Sequence, residues 1–163
     1  MTLVAEHEPL LDRLDDDLRA ALQPSARLFA KLIGGACTRL PMLGGSTRAQ
    51  QLTRLIEAEA WIECAVALVE LEVPAFTLRR LVAVGGEWLC TLSRHPNLPI
   101  EFDDTAEARH ESPALAIARA LVEAKRRQVV SRPSLVPRLT PQASSSATGD
   151  TIYWGNLCCE NYA

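Results

Sequence analysis

The chain has 163 residues, is 48% hydrophobic and carries a formal net charge of -3. Such a length supplies one substantial hydrophobic core and is short for two. The nearly balanced charge argues against nucleic-acid binding, because such domains are strongly basic. Glutamates interrupt every long apolar stretch, so we expect no membrane span. The acidic N-terminus lacks a secretory signal pattern, and we therefore expect a cytoplasmic protein.

Two helices are predicted in the first 36 residues. A stripe of leucines predicts the first, over residues 9–22. Its leucines are Leu10, Leu11, Leu14, Leu18 and Leu22. The intervening aspartates are Asp12, Asp15, Asp16 and Asp17, which we interpret as a solvated face near the positive end of the helix dipole. Ser25 opens a second helix, and Gly34-Gly35 is expected to end it.

The longest helical pattern starts at Thr47, which forms a capping box with Gln50, and continues to about Leu71. Its broad apolar face predicts a central helix. The pattern exceeds the usual length of a globular helix, so a break into a helix pair near residues 58–60 is plausible.

A β-hairpin is predicted over residues 76–93, where two β-rich runs flank Gly85-Gly86. A two-residue loop would pair Val82 with Leu89 and leave Trp88 on the opposite face. We favour a three-residue loop, because it places the valines and Trp88 on one buried face. A two-stranded ribbon is marginal alone and must pack on helices.

The region after the hairpin is ambiguous. Residues 98–109 alternate like a strand around Ile100, but we favour a short helix starting after Asn97. Ser112-Pro113 then begins a last amphipathic helix that stops near Val130. Together these elements predict an α+β, mostly helical fold over residues 1–130, with helices packed on one β-hairpin.

Composition changes abruptly after residue 130. Residues 131–150 are rich in proline and serine without apolar periodicity, which predicts a disordered linker. Residues 151–163 form a short peptide rich in aromatic residues and cysteine. The predicted organisation is therefore one domain, a linker and a C-terminal peptide.

Several short motifs are similar to those of uncharacterised bacterial proteins of alphaproteobacterial type. These motifs include Leu32-Ile33-Gly34-Gly35, Leu43-Gly44-Gly45-Ser46-Thr47, Leu78-Arg79-Arg80-Leu81-Val82 and Gly86-Glu87-Trp88. The resemblance covers most of the domain. It implies a bacterial cytosolic setting and carries no activity, cofactor or site residue.

One window could assemble metal ligands or an acid/base pair. Its residues are His95, Glu101, Asp103, Asp104, His110 and Glu111. Their spacing fits no known ligand motif, so we interpret the window as a solvated connection. We expect buried, inert thiols at Cys37, Cys64 and Cys90. The sequence therefore predicts no catalytic residue, no cofactor and no enzymatic activity.

The C-terminal peptide is the feature that structural roles explain least. Tyr153, Trp154, Leu157 and Tyr162 would stand in water after a flexible spacer, which is unfavourable unless a surface receives them. The receiving surface could be a groove on the same domain, a second copy or another protein. These residues are predicted to anchor a protein partner, which makes an adaptor or accessory protein the leading hypothesis.

Two other hypotheses use the same peptide. In the first, the chain is a precursor whose Trp, Tyr and Cys side chains are modified by a partner enzyme. In the second, Cys158 and Cys159 are thiolate metal ligands of a carrier, with two chains supplying four sulfurs. A catalytic hypothesis centred on His95 and His110 ranks last.

Overall fold

The computed structural model describes residues 7–130, which form an α+β, mostly helical unit. Its elements are α1 (His7–Ala20), α2 (Ala26–Ala36), α3 (Thr47–Glu57), α4 (Trp61–Glu72), β1 (Thr77–Val84), β2 (Glu87–Ser93), β3 (Thr105–His110) and α5 (Pro113–Val130). The predicted fold class is confirmed, but the hairpin is part of a three-stranded antiparallel sheet, in the order β1-β2-β3. No helix within this range is long and apolar enough to cross a membrane. The predicted linker and C-terminal peptide lie outside the described residues.

Helix α5 is the centre of the structure. It packs against β2 and β3 on one side and against α1 and α4 on the other. Its fully or almost fully buried apolar residues are Ala114, Leu115, Ala116, Ile117, Ala118, Ala120, Leu121, Val122 and Ala124. Because alanine is small, neighbouring elements can approach this helix closely from several directions. The central position therefore belongs to α5 and not to the long pattern of residues 47–71.

The leucine stripe of α1 is narrower than predicted. Leu11, Leu14 and Leu18 are buried, whereas Leu10 is 43% exposed and Leu22 is 82% exposed. The helix ends at Ala20, so Leu22 lies beyond it and cannot share its buried face.

The aspartates of α1 do more than compensate the helix dipole. Arg126 of α5 binds Asp12 at 2.7 Å, Arg119 of α5 binds Asp15 at 2.8 Å, and Lys31 of α2 binds Asp17 at 2.9 Å. These ion pairs of the acidic face thus hold α1 against α2 and α5.

The predicted boundaries of α2 and α3 require corrections. Gly34 and Gly35 lie inside α2 rather than after it, and a Cβ on Gly35 would meet Leu14 at 3.6 Å, which shows how closely α1 approaches. Ser46, not Thr47, is the N-cap of α3, because its side chain accepts from the Ala49 amide. The predicted break between α3 and α4 is confirmed.

The hairpin has a two-residue turn, and the favoured three-residue loop is wrong. Gly85 and Gly86 have φ values of 63° and 91°, which are those of a type I′ turn. Val82 therefore pairs with Leu89, and both lie on the sheet face that points away from α5. The three-residue loop is wrong because α5 buries Cys90 and Leu92 on one sheet face, whereas Val82 and Val84 lie on the other face, which no element of residues 7–130 covers.

A strand, β3, replaces most of the helix favoured for residues 98–109. Helical geometry is confined to a 3-10 turn, Ile100–Phe102. β3 pairs with β2 from Thr105 opposite Ser93 to His110 opposite Trp88. Alternation directs the small side chain of Ala106 toward α5, where it is fully buried.

A buried carboxylate joins α4, α5 and the segment after α2. Glu72 is 1% exposed and forms an ion pair with Lys125 at 2.7 Å. Its carboxylate also accepts from the backbone amides of Thr38, Arg39 and Leu40 at 2.7 to 3.2 Å. These hydrogen bonds stabilise the charged form, so that the pKa of Glu72 is below its usual value although burial alone would raise it.

Candidate functional site

The connection between β2 and β3 carries a group of exposed apolar side chains. Phe102 is 77% exposed, Leu98 is 43% exposed and Ile100 is 42% exposed. Leu78, at the start of the edge strand β1, is 39% exposed. We refer to these four residues as the Phe102 surface.

Arg79 brings the connection against β1. Its guanidinium donates to the Leu98 carbonyl oxygen at 3.0 Å and to the Asp103 carboxylate at 2.7 Å. A β-bulge at Arg79 shifts the register of β1 here, so that Leu78 lies opposite Leu92. The connection is thereby held beside the beginning of the edge strand.

Asp103 is the organising residue of the connection. Its side chain is fully buried and accepts from the Ser93 hydroxyl, from the His95 amide at 2.9 Å and from Arg79. Burial alone would raise the pKa of this carboxyl group, but hydrogen bonds from Ser93, His95 and Arg79 outweigh it and hold the pKa below its usual value. Asp103 therefore stays ionised and ties both ends of the connection together.

The neighbouring carboxylate of Asp104 attaches the connection to α5. Arg94 and Arg127 each donate to it at 3.2 Å, and the Arg94 amide donates to the Asp104 carbonyl oxygen at 3.1 Å. The Arg94 guanidinium also lies over the Phe76 ring, 5.0 Å from its centroid. The C-terminal part of α5 therefore lies at the end of the sheet that holds the connection.

Tight turns complete the connection. The Leu98 amide donates to the His95 carbonyl oxygen at 2.9 Å, and the Phe102 amide donates to the Pro99 carbonyl oxygen at 3.0 Å. A prolyl ring also fixes the backbone at Pro99. The Phe102 surface is thus presented on a backbone that many hydrogen bonds hold in one shape.

The two histidines of the predicted chemical window lie far apart. His95 follows the end of β2, and His110 lies at the opposite end of β3, about 17 Å away along the strand. His110 is 7% exposed, and its Nδ1 accepts from the Ser112 amide at 2.9 Å. Within residues 7–130, no group of three or more His, Cys, Asp or Glu side chains could hold a metal ion.

The three cysteines predicted to be core thiols are free and buried. Burial raises the pKa of Cys64 to about 11. Burial, reinforced by the carboxylate of Glu72, raises the pKa of Cys37 to about 12, and burial with the carboxylate of Glu107 does the same for Cys90. At neutral pH these thiols are protonated, which makes them poor nucleophiles.

The predicted anchors Tyr153, Trp154, Leu157 and Tyr162 and the predicted metal ligands Cys158 and Cys159 lie outside the described residues. Those assignments stay predictions.

Sequence reasoning missed the Phe102 surface. The available signal was the spacing of Leu98, Ile100 and Phe102 in a polar, proline-containing segment, which we interpreted as a helix. Apolar residues at alternate positions between two turn signals are also typical of a structured loop whose side chains find no core.

The fold and the site define a small α+β domain with exposed apolar side chains on a hydrogen-bonded connection at one end of its sheet. No family model, curated protein or solved structure matches the chain.

Proposed function

We propose that the chain is a non-enzymatic adaptor with two contact surfaces for protein partners. The first is the Phe102 surface of the folded domain, and the second is the C-terminal peptide anchored by Tyr153, Trp154, Leu157 and Tyr162. The observation that carries the proposal is the 77% exposure of Phe102 on a connection that Asp103 holds in place.

Burial of Phe102 against a partner would supply useful binding free energy. Complete burial of a phenylalanine side chain is worth about 1.5–3 kcal/mol. Because Phe102 is 77% exposed, about three quarters of this free energy is available for binding a partner. A surface fixed in advance also loses little conformational entropy on binding. Aromatic side chains at the centre of an apolar patch are frequent hot spots of protein interfaces.

The C-terminal peptide would add a second contact. Joined by residues 131–150, it would bind the same partner at a high effective concentration once the Phe102 surface is engaged. Two modest contacts would then give a specific complex.

Co-purification from the native host tests the proposal with full-length tagged variants. Phe102→Ser should reduce the yield of a defined partner by about tenfold. Met42→Ser is the matched control, because Met42 is 85% exposed but lies outside the Phe102 surface. Both variants should keep the stability of the parent protein, because the removed side chains are exposed.

A chain without residues 151–163 tests the second surface. The proposal predicts loss of part or all of the partner set in this deletion. Partner recovery equal to that of the parent chain, both with Phe102→Ser and with the deletion, would refute the proposal.

A further inference from the structure

The edge strand β1 has outward backbone groups beyond its bulge. In a type I′ hairpin, Val84 and Glu87 form a hydrogen-bonded pair, and such pairs alternate along the ladder. Val82 therefore directs its amide toward β2, whereas Leu81 and Ala83 direct theirs away from it. Within residues 7–130, β1 pairs with β2 alone. The outward amides and carbonyls of Leu81 and Ala83 therefore have no strand partner in this part of the chain.

The other edge strand, β3, is protected in a way that β1 is not. By the same alternation, Trp88 and His110 form a hydrogen-bonded pair, so that the carbonyl oxygen of Arg109 points outward. This oxygen accepts a hydrogen bond from the guanidinium of Arg119. Glu107 and Arg109 are also exposed, and charged side chains on an edge strand oppose further pairing. Strand addition is therefore favoured at β1.

Only the second half of β1 is a regular template. The first half contains the bulge, which discourages pairing with another strand, whereas residues 80–84 keep one register. Ala83 is exposed although its side chain lies on the sheet face that α5 covers elsewhere. The helices of residues 7–130 therefore do not cover the edge at this point. On the opposite face, Val82 is half-buried and Val84 is 46% exposed.

We infer that β1 of a second copy of this chain pairs antiparallel with residues 80–84 of β1, so that the two three-stranded sheets join into one. A twofold axis at Val82 pairs Leu81 of each copy with Ala83 of the other. Every outward amide of these two residues then donates to a carbonyl oxygen across the interface. An axis one residue earlier would require the bulge to pair, and an axis one residue later would require the first turn glycine to pair. The axis at Val82 is therefore the one that the regular segment allows.

The charges on the outer sheet face are complementary in this arrangement. Arg80 and Glu87 are both exposed, and neither forms an ion pair within residues 7–130. The axis at Val82 places Arg80 of one copy opposite Val84 of the other, and Val84 pairs with Glu87 on its other side. The Cα atoms of the two charged residues are then about 10 Å apart, a gap that the two long side chains can bridge above Val84.

This ion pair can form only between copies. Within one chain, Arg80 and Glu87 are separated by roughly 13 Å along the strand in addition to the width of the ladder. Between copies the contact occurs twice, once on each side of the twofold axis.

Arg80 also makes the pairing selective. A positive charge on an edge strand discourages the addition of an arbitrary strand, whereas Glu87 of a second copy supplies the opposite charge. Because the same surface is used on both copies, the association closes at a dimer. The Phe102 surface lies outside the paired segment, so the inference does not depend on the function proposed above.

Sedimentation velocity of the full chain over a series of protein concentrations tests the inference. An interface formed by such a short segment is small, so the dimer should be in reversible equilibrium with the monomer. We expect Arg80→Glu and Glu87→Arg each to raise the dissociation constant of the dimer by at least about tenfold, because each brings like charges together twice. The variant with both substitutions exchanges the charges and should return the dissociation constant to within about threefold of that of the parent chain.

Glu107→Arg is the matched control, because it makes the same charge change on the same sheet face at the other edge. It should leave the dissociation constant unchanged. A full chain that stays monomeric up to its solubility limit would overturn the inference. A dimer that is insensitive to the single reversals, that the double variant does not restore, or that Glu107→Arg weakens equally would overturn it as well, because another surface would then join the copies. The measurement uses the purified chain alone, so its outcome is separable from that of the co-purification test.

Discussion

Removal of the Glu72 carboxylate is expected to destabilise the domain severely. In Glu72→Gln, the ammonium group of Lys125, which is 8% exposed, loses its negatively charged partner inside the structure. Loss of one partner of a buried ion pair costs about 3–5 kcal/mol. This is a large share of the roughly 5–15 kcal/mol by which domains are stable.

The opposite substitution should cost less. In Lys125→Met, the Glu72 carboxylate keeps the three amides of residues 38–40 as donors. It loses one charged hydrogen bond, worth about 1.5–3 kcal/mol. The structure therefore predicts an asymmetric pair of substitutions, with Glu72→Gln the more damaging.

Urea unfolding followed by circular dichroism measures both effects. With a typical dependence on urea, Glu72→Gln should lower the midpoint by about 2 M. Glu70→Gln is the control, because Glu70 lies on the same helix with an exposed side chain. If the free energies of unfolding of the Glu72→Gln and Glu70→Gln variants differ by less than about 1 kcal/mol, the reasoning is refuted.

The pH dependence has a defined sign. Because the pKa of Glu72 is lowered in the folded state, its stabilisation is present above the usual carboxyl pKa and disappears as the pH falls through the folded value. The difference in the free energy of unfolding between the parent chain and the Glu72→Gln variant should therefore decrease as the pH falls. A difference that grows as the pH falls would contradict the assigned direction.

Three further predictions concern other parts of the chain. Asp103→Asn should loosen the connection and accelerate limited proteolysis within residues 94–104, compared with Asp16→Asn on an exposed position; equal cleavage rates would contradict the role of Asp103. In a Cys158→Ser/Cys159→Ser variant, the three remaining thiols have pKa values of about 11 to 12 and should stay unreactive toward a disulfide reagent at pH 8 until the protein unfolds; rapid reaction of the native protein would show that they are accessible. The metal-carrier hypothesis predicts that the parent chain retains copper, zinc or iron and that the same variant loses it; elemental analysis without retained metal in the parent would remove that hypothesis.

Locally encoded features were predictable from the sequence. The start of α5 follows from Ser112-Pro113, and the break near residues 58–60 follows from the excessive length of one helical pattern. Both depend on a few adjacent residues. The burial of three cysteines was also correct, because each lies in an apolar segment.

Features that depend on distant contacts were not predictable in this way. β3 exists because Ala106 and Ala108 face α5 while their backbone pairs with β2, and the local alternation of residues 98–109 does not by itself distinguish this strand from a helix. The choice between hairpin registers depended on which sheet face α5 covers. Alanines gave α5 a weak hydrophobic signal, although their small size is what permits its central position.

The candidate site also combines features that adjacent residues encode with features that depend on distant contacts. The sequence indicated unusual exposed aromatic residues only in the C-terminal peptide. Phe102 was overlooked, because its exposure depends on Asp103 and Arg79, which meet from different elements and hold the connection away from the core.

Photo-crosslinking in living cells of the native host tests the proposed function most directly. A photoreactive amino acid in place of Phe102 should join the chain to one defined protein, and the same amino acid in place of Met42 should not. The same crosslinking pattern at both positions, or no protein crosslink at position 102, would contradict the assignment of the Phe102 surface as a partner-binding site.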